Sequence, residues 1–129
     1  MKAVLMTAPG GLDVLKLVAV ERPALPRPQQ LLIRVRAAGV NPLDTKIRKQ
    51  HFFYPDNLPA ILGGEGAGVV EHVGASVRRF RVGDEVYFFG NGLWREPVAY
   101  TEYTLVSEEH AARKPANLSM VEAAAIPVA

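Results

Sequence analysis

A mainly β fold, either a mostly antiparallel barrel or a closed sandwich, is what this sequence of 129 residues predicts. Three observations carry that expectation. Short apolar runs with period-two alternation recur, about six or seven of them, separated by glycine and proline turns. Helical periodicity is confined to two short stretches. Strands never alternate with long helical segments, so the βαβ signature of a parallel sheet is missing.

In chain order, residues 2–6 read as a first strand, Ala8-Pro9-Gly10-Gly11 as a turn, and residues 14–20 as the hairpin partner. Pro23, Pro26 and Pro28 then hold the chain extended. Residues 31–37 alternate most clearly. Leu31, Ile33, Val35 and Ala37 share one face, while Leu32, Arg34 and Arg36 share the other, which predicts a half-buried strand with its basic face in water. Asn41-Pro42-Leu43-Asp44 opens a helix. Asn41 suits the N-cap, Pro42 the first helical position, and Asp44 the third, near the positive helix end. Leu43 and Ile47 are four apart and face inward together. Residues 51–59 carry Phe52, Phe53 and Tyr54 between polar and proline residues and read as a loop over a cleft.

Residues 59–74 hold five of the eleven glycines, with Glu65 among them. Gly64, Gly66 and Gly68 suggest a phosphate-cradling loop, but a dinucleotide fingerprint runs strand, glycines, helix. Here the glycines lead into Val69-Val70-Glu71-His72-Val73, a strand that stops at Gly74. The stretch is therefore not a nucleotide fingerprint. Its glycines signal unusual dihedrals, or backbone that something else approaches closely. Glu65, a charge enclosed by glycines, must find a partner.

Val82-Gly83-Asp84 turns the chain into a strand over residues 85–89, where Val86 and Phe88 oppose Tyr87 and Phe89, both phenylalanines being read as core. Residues 90–98 form a surface loop in which Trp94 is a lid or satellite-core residue. Residues 100–107 alternate, with Tyr103 and Leu105 on one face, and residues 111–114 add an edge strand. Ser119-Met120-Val121-Glu122 is a capping box that opens a helix through Ala125. The apolar ending, residues 123–129, reads as a junction into a further domain.

Composition narrows the function classes. Fifteen basic and thirteen acidic residues leave +2, and the densest basic run, Arg78-Arg79-Phe80-Arg81, reads as a solvated loop, so nucleic acid is not an expected partner. With no cysteine, thiolate zinc sites, disulfides and cysteine nucleophiles are excluded. No apolar run approaches the roughly 20 residues of a membrane span, and the N-terminus lacks signal-peptide features, so no membrane partner and a cytoplasmic address are expected. His51, His72 and His110 show no metal-ligand spacing.

Three pieces in order resemble the medium-chain dehydrogenase/reductase superfamily, in its quinone-oxidoreductase-like branch. They are Ala38-Gly39-Val40-Asn41-Pro42-Leu43-Asp44-Thr45-Lys46-Ile47-Arg48; the stretch 59–74 with Val82-Gly83-Asp84-Glu85-Val86; and Arg113-Lys114-Pro115-Ala116-Asn117-Leu118-Ser119 with Glu122-Ala123-Ala124-Ala125. The resemblance implies that residues 1–129 are a GroES-like catalytic domain. It would be a mainly β, partly open antiparallel barrel with two or three short helices, the Rossmann cofactor domain lying beyond the chain. Zinc-dependent relatives place a cysteine at the position of Asn41 and a histidine at that of Gly64, so the resemblance implies a zinc-free member. It further implies reduction of quinones, enones or similar activated carbonyls by hydride from NADPH, a small-molecule substrate, and a homodimeric full-length enzyme. Asn41 and Tyr54 become the catalytic candidates, and Asn41, Lys46 and Arg48 the cofactor-side residues.

The same residues have plainer readings. Asn41 is a helix cap, Lys46 a solvated helix position, Arg48 a solvent-facing or phosphate-binding side chain, Tyr54 a packed loop aromatic, and Glu65 a structural hydrogen-bonding group. A reading from another class, a free-standing barrel serving as a binding or assembly module like the co-chaperonins of the same fold, stands as the alternative.

Overall fold

The computed structural model describes residues 1–50, 58–90 and 99–128. The expectations placed on Tyr54, Trp94 and the loops around them lie outside the described residues.

Two antiparallel sheets organise the chain. β1 (Lys2–Met6) pairs with β2 (Leu15–Ala19) and with the two-residue β4 (Ala60–Ile61), giving the order β2-β1-β4. The second sheet is built from β3 (Gln30–Ala38), β5 (Glu65–Val73), β6 (Glu85–Phe89), β7 (Tyr103–Ser107) and β8 (Ala111–Arg113), in the order β7-β3-β5-β6-β8. A bridge between Ala3 and Thr101 ties the first sheet to the segment entering β7. The sheets do not close into one barrel, so the closed alternatives give way to the partly open one. α1 (Pro42–Gln50) follows β3, and α2 (Met120–Ala124) follows β8. Among the described residues no helix is long and apolar enough to cross a membrane.

The main core fills one face of the larger sheet. Leu31, Ile33, Val70, Val86, Phe88 and Val106 are each 2 % exposed or less and pack with Val77, Phe80 and Ala111. Each such aliphatic side chain contributes about 1.5–3 kcal/mol on burial. Arg34 and Arg36 are exposed as the alternation requires, but Leu32 on their face is buried, so that face is dry at its start. Phe89 is half-buried and outside this cluster, unlike Phe88. The basic run keeps Arg78, Arg79 and Arg81 exposed as expected, but Phe80 within it turns inward. Its ring is buried, with the Arg79 and Arg113 guanidiniums 5.4 and 5.9 Å from its centroid.

A second core joins Met6, Ile47 and Leu62, with Leu43 packed against it, which is how the inward face of α1 is buried. A third seats Ala123 and Ala124 of α2 on Ala67. The predicted capping box is complete. The Ser119 hydroxyl accepts from the Glu122 N–H, and the Glu122 carboxylate accepts from the Ser119 N–H.

The largest departure from the sequence reading lies in the glycine stretch. β5 begins at Glu65, four residues before the expected strand, so Gly66 and Gly68 lie inside it. Both meanings offered for the stretch are realised, an unusual dihedral at Gly63 and close approach at Gly66 and Gly68. A Cβ at Gly68 would overlap the Arg34 carbonyl of β3, next to the register shift between Val35 and Ala37. β7 likewise starts at Tyr103 rather than at residue 100.

Candidate functional site

The polypeptide leaves β3 at Ala38, turns through Gly39 and Val40, and enters α1 at Pro42. Asn41 therefore sits between a sheet strand and a helix N-terminus, beside the first residue of β5. Its Nδ2 donates to Glu65 Oε1 at 2.7 Å, and its backbone N–H donates to Asp44 Oδ2 at 2.8 Å. The cap of α1 is thus made by Asp44 reaching back to the Asn41 main chain, while the Asn41 side chain turns to β5 instead.

Glu65 is 2 % exposed. A carboxylate so enclosed needs hydrogen-bond donors. Oε1 takes the Asn41 amide, and Oε2 takes the Val128 N–H at 2.7 Å. The Gly39 N–H donates to the Glu65 carbonyl at 3.1 Å, and any Cβ at Gly39 would collide with the Glu65 carboxyl. Gly39, a residue without a side chain, is what lets this carboxylate lie against the turn.

Asp44, also buried, accepts from the Tyr100 hydroxyl at 3.0 Å. Burial, then the Asp44 charge and its hydrogen bond, then the Glu65 charge hold that phenol protonated far above its ordinary range. Tyr100 in turn lies over Gly63, whose φ of 100° and lack of a side chain admit the ring. Its backbone bonds to Val4 and Leu62 pin it between β1 and the glycine stretch.

The remaining candidates divide. Arg48 is buried rather than in solvent, and its Nη1 donates to the Gly10 carbonyl at 2.6 Å while its own carbonyl accepts the Gly10 N–H at 2.8 Å. Lys46 is exposed on the solvated face of α1, as its plainer reading has it. A cavity of about 360 Å³ with almost wholly apolar walls lies against the helix, bordered by Leu12, Leu15 and Leu62 and by Thr45, Arg48 and Tyr100. The structure thus brings Asn41 and Glu65 into direct contact and places Arg48 on the wall of this cavity. Tyr54 falls outside the described residues. Sequence reasoning missed Tyr100, Gly39 and Val128. Tyr100 and Val128 reach their partners across 56 and 63 residues, with no local pattern to announce them.

Among the described residues no group of three or more His, Cys, Asp or Glu side chains is placed to hold a metal ion. At the two positions that the family resemblance pairs with zinc ligands, this chain offers the Asn41 amide and no side chain at Gly64. The adjacent Glu65 has both oxygens engaged by N–H donors. Zinc in a catalytic site takes three protein ligands and leaves a position open, and these residues do not fit it.

The profile of the alcohol dehydrogenase GroES-like domain matches residues 27–116. The chain is 41 % identical to 2-methylene-furan-3-one reductase of Solanum lycopersicum, over 100 % of this chain and 34 % of that protein. It is 39 % identical to the NADPH-dependent alkenal/one oxidoreductase (chloroplastic) of Arabidopsis thaliana, over 100 % of this chain and 35 % of that one. Among solved structures it is similar to quinone oxidoreductase of Escherichia coli in complex with NADPH, with a TM-score of 0.85, 32 % identity, and coverage of 98 % of this chain and 37 % of that one. The chain spans about a third of the length of the curated relatives it matches. From the fold, the order of its motifs and these likenesses, the chain belongs to the medium-chain dehydrogenase/reductase superfamily, in its quinone-oxidoreductase-like branch, as an alcohol dehydrogenase GroES-like domain.

Proposed function

We propose that this chain is the N-terminal catalytic domain of a zinc-independent oxidoreductase that uses NADPH to reduce quinones, enones or similar activated carbonyls. The observation that carries the reading is the Asn41–Glu65 hydrogen bond, at a place that the family resemblance pairs with the metal site of zinc-dependent members. An amide and an already engaged carboxylate supply no Lewis acid. The substrate carbonyl is then polarised by hydrogen bonds in a cleft that excludes water. Two of the relatives support the substrate class, since 2-methylene-furan-3-one carries a double bond conjugated to its carbonyl and an alkenal carries both a double bond and a carbonyl.

The bound nicotinamide supplies the hydride. This chain's own residues orient and shield. By the resemblance, Asn41 lies toward the nicotinamide end of the cleft; Glu65 holds its amide and Asp44 its backbone N–H. Tyr54 remains the candidate cleft hydroxyl by resemblance. Tyr100 is not a proton donor in this scheme, because its hydroxyl already donates to Asp44, and burial with the Asp44 charge keeps the proton on the phenol oxygen. Arg48 secures the Gly10 turn through its guanidinium and borders the cavity, while Lys46 stays in solvent. The cofactor's main anchorage belongs to a nucleotide-binding domain outside residues 1–129, and the assembled enzyme is a cytoplasmic homodimer.

Calorimetric titration of the chain with NADPH and, separately, with zinc tests this. Neither ligand is expected to bind with micromolar affinity. Stoichiometric micromolar zinc would sink the metal-free reading, and micromolar NADPH would sink the assignment of cofactor anchorage to another domain.

A further inference from the structure

We propose that Glu65 is a positioning residue that sets the orientation of the Asn41 amide and so makes Asn41 a hydrogen-bond acceptor toward its ligand. An ionised carboxylate only accepts. With Nδ2 at 2.7 Å from Oε1, the Asn41 amide is satisfied; reversed, it would set two acceptors face to face. Which end of the amide faces Glu65 is therefore decided by the chemistry of the partner rather than by how the atoms are assigned. The amide is planar, so Oδ1 is held on the side away from this contact.

The holder is itself held. Glu65 is almost wholly enclosed, its second oxygen accepts the Val128 N–H, and Gly39 leaves the space it occupies. The Asn41 main chain is fixed by a different carboxylate, Asp44. Two acids thus fix the two halves of one residue, and neither leaves the amide a reason to turn.

The ligand group that meets Asn41 Oδ1 must then be a donor. The ribose hydroxyls and carboxamide N–H of a nicotinamide nucleotide are donors, whereas the carbonyl oxygen of a quinone or enone is not. This ligand class rests on the proposed reading of Asn41 as a cleft residue. The amide orientation does not, because it is readable in the chain with no ligand present.

Nuclear magnetic resonance of the ¹⁵N-labelled chain tests the orientation. In the unmodified chain the Asn41 side-chain protons are expected to be well separated and protected from exchange with water. Glu65→Gln is expected to move them to free-amide positions and to speed their exchange about tenfold, the size of one lost hydrogen bond to a charged group. The exchanged pair, Asn41→Asp with Glu65→Gln, is expected to transfer the protected signature to the amide introduced at position 65 and to keep the Val128 N–H protected. Water-like exchange of Asn41 in the unmodified chain, or an exchanged pair no better protected than Glu65→Gln, overturns the proposal. Reduced nicotinamide mononucleotide, added as the probe, is expected to shift the Asn41 side-chain signals. No shift overturns the ligand class and the cleft reading while the orientation stands, and a shift produced instead by a simple benzoquinone overturns the acceptor role.

Discussion

The Tyr100 hydroxyl donates to Asp44 Oδ2 across 3.0 Å, joining the segment that enters β7 to the first turn of α1. The same Asp44 oxygen receives the Asn41 N–H, so one carboxylate aligns the helix start with both the glycine stretch and the candidate site. Removing the phenol oxygen strips a buried acceptor of one donor. Tyr100→Phe is expected to cost about 1–2 kcal/mol in urea denaturation, with the fold retained by circular dichroism.

The pH dependence of that pair has a definite sign. The folded-state pKa of Tyr100 is raised above the ordinary 10.0, first by burial and then by Asp44. Its contribution is fully present below pH 10 and is lost as the pH rises above it, because the unfolded chain releases the proton first. Stability measured from pH 9 upward is expected to fall more steeply for the unmodified chain than for Tyr100→Phe. Tyrosinate absorbance in the folded chain should correspondingly show one phenol fewer ionising near its ordinary pKa. Parallel curves would remove Tyr100 from this role.

Arg48 and Lys46 make a paired prediction on one helix. Arg48→Ala removes a buried guanidinium that bonds the Gly10 carbonyl and is expected to destabilise by about 1.5–3 kcal/mol. Lys46→Ala, on the exposed face, is expected to stay within about 0.5 kcal/mol of the parent. Equal effects at the two positions would mean that the Arg48 contact contributes nothing in solution.

Gly68 is a steric requirement. Gly68→Ala forces a methyl into the Arg34 carbonyl between two central strands, where neither backbone can yield cheaply. A loss of about 1–3 kcal/mol or more follows from overpacking, with amide exchange accelerating first along β3 and β5.

At the far end, Glu122 is held below the ordinary glutamate range by the Ser119 N–H and then by its hydroxyl. A depressed pKa gives stability that is present above the unfolded value and lost as the pH falls through the folded one. Ser119→Ala should lower stability at neutral pH by about 1 kcal/mol, and the difference from the parent should shrink in acid.

Much of this fold was legible locally. The alternation over β3, the Asn41-Pro42-Leu43-Asp44 start of α1, the turn into β6 and the capping box of α2 each depend on neighbours within a few residues. β5 was not legible to its true start, because glycine is disfavoured in strands and nothing nearby shows that β3 passes close enough to demand it. The burial of Arg48 is not legible in the sequence, because charge ordinarily implies exposure and its acceptor, Gly10, lies 38 residues away. At the candidate site the sequence indicates Asn41 and the need of Glu65 for a partner. That they are each other's partner, with Val128 on the second oxygen, is a product of tertiary folding alone.

Oxidation of NADPH by the full-length protein with a quinone or enone acceptor, assayed before and after exhaustive metal chelation, bears most directly on the proposal that the catalytic domain is built around Asn41 and Glu65 rather than zinc. An undiminished rate after chelation is the predicted result. A rate abolished by the chelator and restored by stoichiometric zinc would contradict it.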